Sequence, residues 1–433
     1  MTVRIITLGC SKNLVDSEHL LAQFRAAGHQ LLFDREEGST DVLIINTCGF
    51  ILDAREESVE AILEYTEQKK KGRISRLFVM GCLSERYKDE LSAELPEVDG
   101  FFGVWDWPSI LEAAGTRLDQ SLLTDRVVTT PSHYAYLKVS EGCNRTCAFC
   151  AIPGIRGRQR SLPVENLVSE SGRLARQGVK ELILVAQDLT GYGTDLYQKR
   201  ALPDLLKELT RVPGLEWIRL HYAYPSGFPE EVIDMMASLP QLCHYLDIPI
   251  QHINDHMLKA MGRGHTRKSL IKLLESFRTA IPDIVLRTTL VTGFPGETEP
   301  AFRELYDFIS EFKFDRLGVF PYSHEEHTPA HENLEDHIPQ RIKLERTELL
   351  MERQQEISLE LNRKRVGDQY KVLVDRMEGD YYVGRTQYDS PEVDNEVLIP
   401  RTAPMKIGEF YQVRITDAEA FDLYGEITTS LSS

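Results

Sequence analysis

Short hydrophobic runs alternate with amphipathic stretches through the first hundred residues. The pattern predicts three buried strands, at residues 3–9, 41–47 and 76–81. Helical spacing of apolar residues follows the first strand, and Ser11 or Asn13 is expected to cap that helix. Strands that alternate with helices pair in parallel through right-handed crossovers. We therefore expect an N-terminal parallel α/β sheet domain over residues 1–132.

A second series of strands begins near residue 134, after an irregular stretch with Pro108 and Pro131 that marks a domain boundary. Six strands are predicted, at residues 136–140, 181–186, 217–222, 244–250, 284–290 and 316–320. Amphipathic segments separate them, which favours a partial (β/α) barrel over residues 133–366. In such barrels the chemistry lies at the carboxyl ends of the strands.

The end of the chain has a different pattern, with five short β-type runs between turns. They cover residues 369–374, 381–385, 396–399, 410–415 and 421–427. This spacing predicts a small β-barrel over residues 367–433. The fold class is thus α/β multidomain, with a small all-β domain at the end.

Composition adds limits on location and partners. The chain has 433 residues and a formal net charge of −17, which argues against a broadly basic nucleic-acid surface. No segment reaches membrane-spanning length and no signal sequence is visible, so a cytoplasmic protein is expected. Seven cysteines, sparse and odd in number, fit a reducing compartment in which thiols serve as ligands.

Three of these cysteines, Cys143, Cys147 and Cys150, fall within eight residues at C-x3-C-x2-C spacing. A zinc site would need a fourth ligand, and no second pair follows nearby. A 4Fe-4S cube held by three thiolates keeps one iron open to a small molecule. The alternative is that the three thiols have no common function, and their clustering within eight residues makes this alternative improbable.

Cys10, Cys48 and Cys82 each follow one of the three predicted N-terminal strands. Singly, each would be interpreted as a small buried hydrophobe. The carboxyl ends of parallel strands lie at one edge of a sheet, so three thiols are expected to converge there. Cys243 is interpreted as structural.

The C-x3-C-x2-C segment, with Phe149 before its third cysteine, resembles the radical S-adenosylmethionine (SAM) superfamily. The resemblance implies that Cys143, Cys147 and Cys150 hold a 4Fe-4S cluster whose open iron binds SAM, which is cleaved to a 5'-deoxyadenosyl radical. By position it also implies SAM contacts from Gln187, Asp188, Gly293 and Gly296. Arg156, Arg158 and Arg160 are either a solvated charge run or partners of the cluster and the SAM carboxylate.

The whole chain resembles the methylthiotransferase family. The segments around Cys10, Cys48 and Cys82 are similar to its N-terminal domain, and the last domain is similar to TRAM domains. The resemblance implies a second 4Fe-4S cluster on these three cysteines that carries sulfur, transfer of a methylthio group, and an electron donor as partner. No catalytic acid or base is assigned.

The last domain distinguishes two substrate classes within that family. Residues 367–433 contain 13 Asp and Glu against 6 Lys and Arg, a net charge of −7. Such a charge repels phosphate and attracts a basic protein. With the acidic segment at residues 389–394, the domain resembles the branch of that family that acts on a protein. The resemblance implies the β-carbon of an aspartate on the basic small-subunit ribosomal protein S-twelve as the target, with adenosine in tRNA as the alternative. A two-cluster electron carrier and a non-catalytic ribosome-binding factor remain open as other classes.

Overall fold

The computed structural model describes residues 1–33 and 39–430. Its N-terminal sheet has five parallel strands in the order β2-β1-β3-β4-β5. The elements of this domain are β1 (Thr2–Thr7), α1 (Ser11–Ala26), β2 (Gln30–Leu32), β3 (Thr40–Thr47), α2 (Leu52–Lys70), β4 (Ile74–Gly81), α3 (Cys82–Glu94), β5 (Gly100–Phe101) and α4 (Trp107–Ala113). The predicted parallel α/β sheet is confirmed.

The loop between β1 and α1 differs from the prediction. Helix α1 begins at Ser11, directly after Cys10, and no side chain caps it, so the predicted cap from Ser11 or Asn13 is wrong. Asn13 is used differently. Its Nδ2 donates to Leu8 O at 2.9 Å and to Thr47 O at 3.0 Å, which ties the end of β1 to the end of β3.

The central sheet has six parallel strands in the order β13-β12-β11-β10-β9-β6. Its elements are β6 (Tyr134–Lys138), β7 (Ser140–Glu141), α5 (Ile152–Arg156), β8 (Arg160–Ser161), α6 (Val164–Arg176), β9 (Glu181–Val185), α7 (Leu202–Leu209), β10 (Trp217–Leu220), α8 (Glu230–Ser238), β11 (Leu242–Asp247), α9 (Asp255–Ala260), α10 (Arg267–Ala280), β12 (Val285–Thr292), α11 (Glu299–Phe312), β13 (Arg316–Pro321), α12 (Pro329–Asn333) and α13 (Gln340–Arg363). One sheet face is apolar and packs on the helices, as Leu182, Ile218 and Leu286 do. The predicted partial barrel is confirmed, and we call the carboxyl edge of its strands the mouth.

The last domain is a closed five-stranded barrel in the order β14-β15-β16-β18-β17. Its strands are β14 (Gln369–Glu378), β15 (Tyr381–Thr386), β16 (Glu396–Pro400), β17 (Phe410–Ala418) and β18 (Asp422–Ser430). All neighbours pair antiparallel except β16 and β18. This agrees with the small β-barrel expected from the sequence.

Each outer domain docks on the central barrel. On one side, Leu14 and Val15 of α1 pack with Tyr136 and Ile183 of the central sheet. On the other, the acidic segment between β15 and β16 meets the polar face of the sheet. Arg316 donates to Asp389 at 2.6 Å, and Tyr245 donates to Asp394 at 2.7 Å.

This docking corrects one reason given for a basic protein partner. Asp389 is fully buried and the side chain of Asp394 is only 1% exposed. A carboxylate that is buried and paired with arginine presents no charge to a partner in solution. Asp389 and Asp394 therefore join domains. Glu392 is the exposed acidic residue of the segment, so any attraction for a basic protein must come from it and from acidic residues elsewhere.

Within the described residues, no helix combines the length and apolarity needed to cross a membrane.

Candidate active site

The C-x3-C-x2-C segment forms a loop at the mouth, directly after β6. The short antiparallel pair β7 and β8 closes the loop at its base. Gly142 has φ +76°, and a Cβ on it would lie 2.4 Å from Arg158 O, so the sharp turn before Cys143 requires glycine. The far side is held by Ala148, whose N donates to Met261 O at 2.9 Å and whose O accepts from Ala330 N at 2.8 Å. The loop geometry is therefore set by the surrounding barrel.

The three loop thiols lie close enough to influence one another's ionisation. Burial raises the pKa of the Cys143 thiol to about 11 and that of Cys150 to about 12. Donors nevertheless surround the sulfurs. Arg263 Nη1 lies 3.2 Å from Cys147 Sγ, and the backbone N of Arg145 lies 3.4 Å from Cys143 Sγ. Such donors suit sulfurs that become thiolates when a metal displaces their protons.

Cys10, Cys48 and Cys82 follow β1, β3 and β4, which are neighbours in the N-terminal sheet. A Cβ on Gly9 would lie 2.9 Å from Cys48 Sγ, so the backbone before Cys10 presses directly against that thiol. Burial raises the pKa of Cys82 to about 11, with a smaller rise at Cys48. At Cys10 the charges of Lys12 and Arg156 outweigh burial and lower the pKa. The topology thus brings the three thiols together, as predicted.

A search of the described residues finds no three His, Cys, Asp or Glu side chains placed to hold a single metal ion. Each triad of thiols is therefore a poor site for mononuclear zinc. In a 4Fe-4S cube each thiolate binds a different iron, so the sulfurs stand further apart than ligands of one ion. The three thiols of each triad match in number the protein ligands of a cube that keeps one iron open.

Arg156 links the two triads. It belongs to α5, which directly follows the cysteine loop, yet its Nε lies 3.3 Å from Cys82 Sγ in the other domain. Its Nη1 donates to Glu141 at 2.7 Å and lies 3.5 Å from Asp16, while Nη2 donates to Asn13. Because Arg156 is only 2% exposed, these contacts fix the N-terminal domain against the mouth.

The structure gives different surroundings to Arg156, Arg158 and Arg160, which lie close together in the sequence. Arg158 and Arg160 are exposed, and Arg160 stacks on Trp105 at 4.7 Å. Neither contacts a cysteine. Arg156 alone approaches a thiol, and that thiol belongs to the N-terminal triad rather than to the loop.

The four predicted SAM contacts lie after β9 and β12, at the mouth. Gln187 donates to Glu141 at 2.6 Å, and its Oε1 is buried without a partner. Asp188 already accepts hydrogen bonds from Arg145 Nε at 2.6 Å and from the backbone N of Gly191.

Gly293 and Gly296 both have positive φ angles. A Cβ on Gly293 would lie 2.3 Å from Lys343 of α13, so that glycine serves helix packing, whereas Gly296 has only His256 at 4.0 Å. Gln187 and Gly296 are therefore the two positions with groups still free to meet a ligand. Gln251 adds another buried acceptor without a partner, Oε1, and has φ +69°. Unpaired buried acceptors at the mouth fit a polar cofactor that donates hydrogen bonds.

Sequence reasoning missed several residues that shape the site. Glu141 accepts from Lys138, Arg156 and Gln187 and connects both domains, although its place just before the cysteine motif was a usable signal. Arg263 and Tyr224 contact Cys147 from more than 75 residues away, and no local pattern marks them.

Comparison with known proteins agrees with this geometry. Residues 137–309 match the Radical SAM superfamily, residues 2–103 match Uncharacterized protein family UPF0004, and residues 366–428 match the TRAM domain. A solved structure of the radical SAM methyltransferase TsrM from Kitasatospora setae has a TM-score of 0.58 at 15% identity, covering 76% of this chain and 73% of TsrM. At that identity the likeness shows the fold alone. Fold and site together define a radical SAM transferase, which uses SAM and two 4Fe-4S clusters.

Closer relatives specify the family. Ribosomal protein uS12 methylthiotransferase RimO of Christiangramia forsetii is 52% identical over 98% of this chain and 94% of that protein. RimO of Parabacteroides distasonis is also 52% identical, over 98% of both chains. The chain belongs to the RimO family of methylthiotransferases.

Proposed function

We propose that this chain attaches a methylthio group to the β-carbon of an aspartate in ribosomal protein uS12. The observation that carries the proposal is the full-length identity of 52% to RimO proteins, which spans all three domains. Arg156 supports it as well, since it follows the cysteine loop in sequence and contacts Cys82 of the N-terminal triad, and sulfur insertion needs a radical source and a sulfur source close together. A cytoplasmic location follows from a ribosomal substrate.

We assign Cys143, Cys147 and Cys150 to the cluster that binds SAM, and Cys10, Cys48 and Cys82 to the second cluster. The assignment is supported by donors that meet the sulfurs of both sets, Arg263 on the loop triad and Arg156 on the N-terminal triad. When bound, these groups supply an electron, a hydrogen-abstracting radical, sulfur and a methyl group. An electron donor protein or small reductant is required as partner.

The residues of the chain have three tasks around these groups. Arg263 and Tyr224 hold Cys147, and a cation–π contact at 4.2 Å between them keeps both in place. Glu141 orients Gln187 so that its free Oε1 is available to the SAM amino group. Gly296, which follows β12, leaves space for another part of the cofactor. Asp188 and Gly293 act indirectly, by positioning Arg145 and α13.

Water must be kept from a radical intermediate, and packing at the mouth serves this purpose. Helix α1 covers β6 and β9 through Leu14 and Val15, while Phe149 lies against Phe294 beside the cysteine loop. Apolar packing therefore lies close to each triad, in both domains.

Mass spectrometry of uS12 tests the proposal. The reconstituted chain would be incubated anaerobically with uS12, SAM, sulfide and reductant, and with tRNA in a parallel reaction. We expect one aspartate of uS12 to exchange one hydrogen for a methylthio group, and tRNA to remain unmodified. Modification of adenosine in tRNA, with uS12 untouched, would contradict the substrate while retaining the chemistry.

A further inference from the structure

The N-terminal domain places a buried ammonium group beside the barrel mouth. Lys12 lies in the first turn of α1, two residues after Cys10, and is only 8% exposed. Its Nζ lies 3.5 Å from the ring centroid of Tyr222, which follows β10 of the central domain. The side chain therefore reaches from the N-terminal triad of thiols to the mouth.

The charges around it do not balance. Lys12, Lys138 and Arg156 are three cations, and the two carboxylates beside them belong to Asp16 and Glu141. Both carboxylates contact Lys138 and Arg156. Among the described residues, none offers Lys12 a carboxylate within ion-pair distance. A buried charge without a carboxylate partner is costly. The other groups beside Lys12 are the thiol of Cys10 and the side chain of Tyr222, so its ammonium group can take a ligand carboxylate as a partner.

Other cations at the mouth are already engaged. Arg145 pairs with Asp188 at 2.6 Å, and Arg287 pairs with Asp247 at 3.0 Å. Arg263 donates to Cys147 Sγ at 3.2 Å and to Pro249 O at 2.6 Å. Arg145 and Arg263 also lie over the ring of Tyr224. Lys12 differs because, in the part of the chain that the structure describes, it has the ring of Tyr222 without a carboxylate or carbonyl partner, which orients the ammonium group and leaves hydrogen-bond donors available.

The residue under Lys12 has an unusual backbone. Tyr222 has φ +60°, which is rare for a bulky side chain. Hydrogen bonds hold this conformation, since Tyr222 N donates to Asp247 at 3.1 Å and Tyr222 O accepts from Leu189 N at 3.1 Å. Strained backbone persists at functional sites when surrounding contacts enforce it. Here it presents the tyrosine ring to Lys12.

We propose that Lys12 binds the side-chain carboxylate of the aspartate that is modified, and so selects aspartate as the target. This inference rests on the proposed function. The β-carbon of aspartate is bonded directly to that carboxylate, so a charge-assisted contact to Lys12 fixes the position of the reacting C–H bond. Asparagine has nearly the same shape but no charge, and it is rejected because Lys12 stays unpaired.

A competing role for Lys12 is to balance charge on the N-terminal thiols. The charges of Lys12 and Arg156 both act on Cys10, but of the two it is Arg156 that contacts a thiol directly, with its Nε 3.3 Å from Cys82 Sγ. The ammonium group of Lys12 is instead directed onto a ring of the central domain. The two roles predict different responses to substitution, since only carboxylate binding depends on the identity of the target residue.

The experiment measures binding with reductant omitted, so that no turnover is needed. Cluster-loaded wild-type, Lys12→Met and Lys12→Arg chains would be titrated with uS12 and with uS12 in which the modified aspartate is replaced by asparagine. Lys268→Met, at an exposed position on α10, is the matched control. We expect wild type and Lys268→Met to bind the aspartate form about tenfold more tightly, as for a charge-assisted contact.

Lys12→Met should bind both forms equally, and Lys12→Arg should retain part of the preference. Retention of the full preference by Lys12→Met would overturn the inference. So would loss of iron from Lys12→Met without any change in the preference, which would assign Lys12 to the cysteine site. If wild type modifies tRNA and not uS12, the proposed function itself fails, and this outcome is separate from the binding ratio.

Discussion

The central barrel joins its two neighbours in different ways. At the C-terminal interface, where the segment 389–394 meets the central sheet, each arginine contacts a carboxylate. The pairs are Arg219 with Glu181 at 2.7 Å, Arg385 with Glu181 at 2.9 Å, Arg316 with Asp389 at 2.6 Å and Arg287 with Asp394 at 3.5 Å. At the N-terminal interface, where α1 and α5 meet, three cations share two carboxylates beside three thiols.

The difference in charge pairing indicates that the two interfaces have different roles, one in holding domains together and the other in the reaction. Buried ion pairs stabilise one arrangement of domains, and at the C-terminal interface they leave single polar atoms, such as Arg365 Nη1, without a hydrogen bond. Unpaired cations, free thiols and acceptors without donors cost stability, and proteins retain such groups where function uses them. We therefore propose that the reaction site lies at the N-terminal interface, while the ion pairs of the C-terminal interface hold the last domain on the central barrel.

The largest expected effect comes from the loop triad. Cys147→Ala removes one of three ligands to the SAM-binding cluster, so cleavage of SAM should fall to background and methylthiolation should stop. Formation of 5'-deoxyadenosine, measured by chromatography, checks this expectation. Cys243→Ala is the control, because Cys243 is buried against the C-terminal domain, away from both triads. Continued SAM cleavage by Cys147→Ala would refute the ligand assignment.

Cys48→Ala sharpens the comparison within the N-terminal interface. This variant should still cleave SAM, because the loop triad is intact, and should produce no methylthiolated uS12. The ratio of 5'-deoxyadenosine to modified uS12 measures the separation of the two steps. Equal loss of both products would mean that the triads do not act independently.

Arg156→Met tests how strongly the N-terminal interface depends on one bridging cation. Its loss leaves Glu141 and Asp16 with Lys138 as their remaining cation in the network, and breaking a buried pair costs about 3–5 kcal/mol. Urea unfolding should show a destabilisation of that order. Arg158→Met, at an exposed position, should change stability by less than about 0.5 kcal/mol. Similar small changes in both variants would contradict the bridging role.

Asp389→Asn probes the C-terminal interface through pH. Burial opposes ionisation of Asp389, but Arg316 outweighs it and holds the pKa of the carboxyl below its ordinary value. A lowered pKa stabilises the fold above about pH 3.9, and this contribution is lost as pH falls through the folded-state pKa. Wild type should exceed the variant by about 3 kcal/mol near pH 7. The difference should shrink below about pH 4, and a difference that stays constant into acid would exclude the ion pair as its source.

The sequence was sufficient for the longer strands of the sheets because hydrophobic period determines strands and helices locally. It missed β2 and β5, which have three and two residues and are too short to show a period. It also indicated that Cys10, Cys48 and Cys82 converge, since parallel topology places strand ends at one edge. The pairing of Arg156 with Cys82 was not predictable, because it depends on how two domains pack. The same reason explains the error over the segment at 389–394, whose charge was visible and whose burial was not.

The most direct test of the account is an iron count on anaerobically reconstituted protein. Wild type should hold about eight irons per chain, since each cube contains four. A variant with Cys143, Cys147 and Cys150 changed to alanine should retain about four, and so should one with Cys10, Cys48 and Cys82 changed to alanine. Loss of all iron from either variant, or retention of all eight, would contradict two separate cluster sites at one mouth.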